Sequence, residues 1–240
     1  MSLEIYLILG AISLITSMIT AIFSIGGGMI MLASLGQFVG ASALIPLHAS
    51  VQLLNNISRV YVYKEHINFR ILKTILWASF IGSLISIFIF QNLDEYILTL
   101  IIGCSILFLT WVPINKFIKH GLANDLICGL LAGVAGIFIG ANGPIVTAFM
   151  RLKNLSPESL VANHGLVMVF QHSIKIILFI SVIGFSLLSY IPLIVFLGLM
   201  GYLGTKVGRR LINKIDFKLF QTVLKFLLSV LAILLILRAE

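Results

Sequence analysis

Apolar segments run nearly end to end along this chain, at about 5–23, 29–38, 42–63, 71–90, 96–113, 122–139, 145–150, 157–183, 187–205 and 219–237. A helix that crosses the hydrocarbon core of a bilayer needs about 20 residues. Eight segments reach or approach that length, and two, 29–38 and 145–150, do not. Hydrophobic residues make up 60% of the chain and charged residues 10%, against roughly 25% charged for an average soluble domain. No stretch is left over for a soluble catalytic domain, so the expected class is an all-α integral membrane protein. The N-terminus, Met1-Ser2-Leu3-Glu4, lacks the positive region of a signal peptide, so the first segment is expected to be retained.

Each short segment follows a helix-breaking cluster: Ser24-Ile25-Gly26-Gly27-Gly28 before the first, Gly140-Ala141-Asn142-Gly143-Pro144 before the second. Such breaks are tolerated at membrane depth only where they are buried in protein or line a cavity. They also begin an internal repeat. A shift of 116 positions brings Gly27 onto Gly143, His48 onto His164, Val51 onto Val167, Phe80 onto Phe196 and Gly82 onto Gly198. The same shift brings Asn55 and Asn56 onto Gln171 and His172, and Arg59 onto Lys175. Residues 1–120 therefore read as one repeat and 121–240 as the other, each a broken-helix hairpin followed by three long helices.

The loop cations set the orientation. If each broken helix crosses the membrane as one span, Lys and Arg divide 6 against 7 between the two faces. If each short segment turns back, Lys64, Arg70, Lys73, Lys116, Lys119, Arg151, Lys153, Lys206, Arg209, Arg210, Lys214 and Lys218 share one face, and only Arg238 faces them. Cytoplasmic loops are enriched in Lys and Arg, so the second arrangement is expected. It makes the repeats inverted, the protein multi-pass, the basic loops cytoplasmic and both termini outside. The net charge of +8 then belongs to a bilayer face, so the lipid bilayer, and not nucleic acid, is the expected partner.

A short helix that starts in a glycine turn presents free N–H groups and a positive dipole end, which suit an anion. Two such starts lie at Gly27, Gly28 and Met29 and at Asn142, Gly143 and Pro144. Close helix packing is the alternative use of those glycines. The helix after each hairpin carries a polar stripe at spacings of four, three and four: His48, Gln52, Asn55, Arg59 and His164, Met168, Gln171, Lys175. Asn56 and His172 flank it. A cation at the centre of a spanning helix costs about 2.5–3.5 kcal/mol, and all eight acids lie in loops, at termini or at segment starts. Arg59, little more than a turn from Lys64, and Lys225, near the start of the last segment, are close enough to an end to snorkel; Lys175 lies deeper. The expected ligand is a small hydrophilic anion with oxygen acceptors. His48 and His164 add the option of proton coupling, beside plain hydrogen bonding between helices. No cofactor or metal is expected, since no tight His, Cys or carboxylate cluster exists. Cys104 and Cys128 read as packing residues.

The glycine-rich break after the first apolar helix, repeated 116 residues later as Gly140-Ala141-Asn142-Gly143-Pro144, resembles the TauE/SafE family of sulfite and organosulfonate exporters. The resemblance runs from about residue 5 to 238. It implies export of small sulfur oxyanions such as sulfite or sulfoacetate across a prokaryotic inner membrane, a property of the family and not of the spacing. Ser24 stands where the family usually begins its Gly-x-Gly-Gly-Gly run, and Asn142 where it usually has glycine. A channel is the alternative within transport, and needs a continuous polar path. An intramembrane enzyme needs a nucleophile with a base, or a metal site.

Overall fold

In the computed structural model, residues 2–113, 121–140, 142–212 and 217–237 are described, the side chains of 217–221 excepted. Lys116, Lys119, His120, Ala141, Lys214, Arg238 and Glu240 lie outside the described residues, as does the side chain of Lys218. Among the described residues the regular structure is helical: α1 (Leu3–Phe23), α2 (Gly27–Leu35), α3 (Ala41–Val62), α4 (Lys73–Phe90), α5 (Glu95–Trp111), α6 (Leu122–Ile139), α7 (Gly143–Arg151), α8 (Pro157–Ser181), α9 (Ile191–Leu211) and α10 (Phe217–Leu237), with short 3-10 turns between some of them.

Local chemistry explains the ends. The Ile97 N–H donates to the Asp94 carboxylate at the start of α5, and the Ser159 N–H to the Ser156 hydroxyl at the start of α8, where Pro157 takes the first turn. α1 ends at Ser24 (φ 59°) and α6 at Gly140 (φ 78°). Glycine adopts that backbone freely, whereas Ser24 holds it at a cost. α9 continues past the predicted end of its apolar segment, through Lys206, Arg209 and Arg210. Cations in a last helical turn interact favourably with the negative end of the dipole.

The molecule is apolar outside and polar within. α4 exposes Trp77, Ile81, Ile85 and Phe88 along one face and buries Ser79, Ser83 and Ser86 on the other. α1 buries Ser13, Thr16, Ser17 and Thr20. A soluble chain does not expose an apolar surface of that extent. By length and composition α1, α4, α6, α8 and the stretch Leu188–Leu211 are each able to cross a membrane. α3, although 22 residues long, falls outside that set because it carries the polar stripe. α5 and the described part of α10 are shorter apolar helices.

Packing pairs helices from the two halves. α1 lies along α9, α4 along α6, α3 crosses α8, and α5 packs on α10. Exchanging each helix for the one 116 residues away reproduces these pairs. Close backbone approach requires glycine in both long pairs: a Cβ at Gly204 would sit 2.0 Å from the Leu14 carbonyl oxygen, and one at Gly82 2.5 Å from that of Leu130.

Both short helices turn back. Lys153, just past the end of α7, is 2.9 Å from Asp125 in the first turn of α6, so α7 returns to where α6 began. Asn142 Nδ2 donates to the Ala132 carbonyl at 2.7 Å, two turns back along α6. Gly27 lies against Thr16 in the same way, a Cβ there falling 1.9 Å from the Thr16 carbonyl oxygen. Thr16 and Ala132 are 116 residues apart, and so are the bounds of α2 and α7.

Candidate functional site

A cavity of about 30 Å³ lies where the two hairpin tips meet α3 and α8. Its wall is built from corresponding positions of the two halves: Ser24 with Gly140, Gly26 with Asn142, Gly28 with Pro144, His48 with His164, Gln52 with Met168, and Asn56 with His172. Met29, Gly143 and Arg59 complete the polar part. At that size it has room for about two water molecules, so a solute enters only as the wall opens.

Helical geometry sorts the stripe residues. At about 100° per residue, His48, Arg59, Gln52 and Asn56 fan across about 80° of α3, and these four line the cavity. Asn55 lies at the far edge of the fan and turns away: a Cβ at Gly201 of α9 would collide with its Oδ1, and its Nδ2 donates to Ser13 Oγ at 3.5 Å. Gln171, its counterpart, accepts a hydrogen bond from Asn142 Nδ2. Of the residues expected at the site, the structure therefore brings Gly28, Met29, His48, Gln52, Asn56, Arg59, Asn142, Gly143, His164 and His172 to one cavity, and leaves Gly27, Asn55, Gln171 and Lys175 outside its wall. Thr20, Ser24, Ile25, Gly26, Gly140, Pro144 and Met168 also line it. Of these, Ser24 and Gly140 end the helices that the breaks interrupt, and that position was the available sequence signal for them.

Arg59 does not reach out to the surface. It is 2% exposed, and its Nη2 donates to Asn56 Oδ1, a neighbour on the same helix. Its Nε has no partner among the described residues, and no carboxylate lines the cavity. A buried guanidinium with no carboxylate beside it suits planar or pyramidal oxyanions, and here Asn56 already takes one of its N–H groups.

Lys175, also 2% exposed, has a different task. Its Nζ donates to the Gly140 carbonyl at 2.9 Å, at the end of α6. Unpaired carbonyls and the negative dipole end meet there, so a cation is favourable.

The two short helices aim their first turns at the same space. Gly28 and Met29 from α2 and Gly143 and Pro144 from α7 line it, and the first N–H groups of a helix have no partner within it. A Cβ at Gly28 would rest in ordinary contact with the Gln52 amide, Cδ at 3.9 Å. His48 Nε2 lies 2.9 Å from the Gly28 carbonyl oxygen. A carbonyl only accepts, so Nε2 carries the hydrogen and Nδ1 is left without a partner. The His48 and His172 rings meet edge to face, 5.9 Å apart.

The family description that matches is "Sulfite exporter TauE/SafE", over residues 9–235. The chain belongs to the TauE/SafE family. As a member it is a multi-pass membrane transporter and not an enzyme. No curated protein and no solved structure shows significant similarity to it. What the TauE/SafE chain offers a solute thus rests on its own cavity: one buried guanidinium, two helix starts, amides, hydroxyls and imidazoles.

Proposed function

We propose that this protein is a secondary transporter that exports a small oxyanion, sulfite or an organosulfonate of sulfoacetate size, across a prokaryotic inner membrane by alternating access at a midplane site. One observation carries the reading. Arg59, buried and with no acid beside it, lines a cavity shared by the starts of two re-entrant helices. A lone cation at that depth is costly, and an anionic solute offsets the cost. The substrate oxygens take Arg59 N–H groups and the first N–H groups of α2; α7 adds only that of Gly143, because Pro144 has none and Ile145 and Val146 donate to the Asn142 carbonyl. His48 supplies a route for proton coupling: with Nε2 committed to the Gly28 carbonyl, Nδ1 becomes a donor to an anion only when the ring is protonated.

Alternating access follows from two inverted repeats, residues 1–120 and 121–240, rocking about the shared site. Two features support the repeat and a third its inversion. The short helices share bounds in the 116-residue register. The helix pairs survive exchange of the halves. The two short helices also leave the cavity in opposite senses along α10: past the end of α2, Gln37 donates to the Leu231 carbonyl, whereas Arg151 at the end of α7 shares a space with Lys225. In this arrangement the loops carrying Lys64, Arg70, Arg151 and Lys153 face the cytoplasm and both termini face outside.

The test is binding followed by flux. Sulfite and short sulfonates raise the melting temperature of the purified protein, and amines of similar size do not. Proteoliposomes then move sulfite in a manner that depends on the pH gradient. Equal stabilisation by amines, or flux unaffected by Arg59→Met, removes the reading.

A further inference from the structure

Two further spaces lead away from the central cavity. The smaller, about 80 Å³, shares Ile25, Met29 and Pro144 with the cavity wall and reaches Lys225 on α10. The larger, about 320 Å³, shares Ile25 and Pro144 with it. It is bordered by Arg151 at the end of α7, by Lys225, and by the end of α5 at Trp111. Lys225 Nζ stands 5.2 Å from the centre of the Trp111 ring, and Trp111 Nε1 donates to Ser229 Oγ at 3.0 Å. The lysine is thus held at the rim by an aromatic face.

The corresponding place in the other half is shut. α10 packs on α2, whereas α5 makes no comparable contact with α7. A Cβ on Gly36 would sit 2.7 Å from Leu235 Cδ1, and Leu32 and Leu35 are fully buried. In the 116-residue register, Arg151 corresponds to the buried Leu35. One mouth is therefore open and cationic, and its counterpart is closed and apolar.

We propose that Arg151 and Lys225 form a second, outer anion site, which gathers the oxyanion from the basic-loop face before Ile25 and Pro144 admit it to the cavity of Arg59. The one-sided charge raises the local anion concentration at that face, while the solute gradients decide the net direction of transport. The identity of the anion rests on the function proposed above; the outer site itself does not require it, because a mouth lined by cations concentrates any small anion.

Thiol labelling tests this. Thr110→Cys borders the larger space, and is made together with Cys104→Ser and Cys128→Ala; Val112→Cys is the second reporter position. Each is exposed in proteoliposomes to 2-sulfonatoethyl methanethiosulfonate and to its trimethylammonium analogue, with rates divided by those for a free thiol. The sulfonate reagent is expected to be favoured about tenfold at low salt, and the preference is expected to fall to near unity with Arg151→Leu and Lys225→Leu together, or at high salt. A preference unchanged in the double variant overturns the outer site, whatever the protein carries. A protein that keeps the charge preference but is not stabilised by sulfite or sulfonates upholds the outer site and removes the sulfur-oxyanion reading.

Discussion

Arg59 and Lys175 stand 116 residues apart at corresponding positions, both 2% exposed, and they are put to different uses. Lys175 is bound to the Gly140 carbonyl at the break in the second half. At the break in the first half the Ser24 carbonyl accepts the Thr147 hydroxyl at 2.7 Å instead. That substitution leaves Arg59 free to face the cavity. Of two deep cations in the same register of the proposed repeat, one thus caps a helix break and the other is a candidate ligand.

The largest expected effect separates these two roles. Arg59→Met removes charge-assisted hydrogen bonds of about 1.5–3 kcal/mol, or about 10- to 150-fold in apparent affinity for sulfite, with little change in melting temperature. Flux in proteoliposomes and thermal melts of the same preparation check it. Next is the contrast between hairpin glycines. Gly27→Ala drives a methyl into Thr16 and Thr20 and is expected to cost about 1–3 kcal/mol of stability. Gly143→Ala meets only His164 Nε2 at 3.5 Å and should melt close to the parent. Lys175→Met strands the Gly140 carbonyl and is expected to lower stability by about 1 kcal/mol, while the sulfite concentration for half-maximal flux stays near that of the parent. An affinity loss as great as that of Arg59→Met would erase the distinction drawn above. The smallest effect belongs to Thr147→Val, about 0.6 kcal/mol as for other hydrogen bonds between membrane helices, read by thermal melts.

Much of the fold was legible because apolar length and glycine breaks report directly on where helices run. The breaks at Ser24–Gly28 and Gly140–Pro144 end α1 and α6 where the sequence places them. The polar stripe was legible for the same reason, since residues four apart share a helix face. The edges of that face were not. Asn55 and Gln171 belong to the stripe by spacing, yet each sits at the side where another polar group, Ser13 or Asn142, is within reach. Which neighbour flanks each edge is a tertiary fact, and one chain's periodicity does not carry it. The role of Lys175 was hidden likewise, because its partner is a backbone carbonyl exposed only by the turn at Gly140.

The bond from Thr147 to Ser24 joins the tip of one hairpin to the body of the other, across 123 residues of chain. In a dry interior no water stands ready to replace it. A displacement that draws α7 away from the Ser24 turn breaks that link, and at about 0.6 kcal/mol the bond is a latch that thermal motion opens readily.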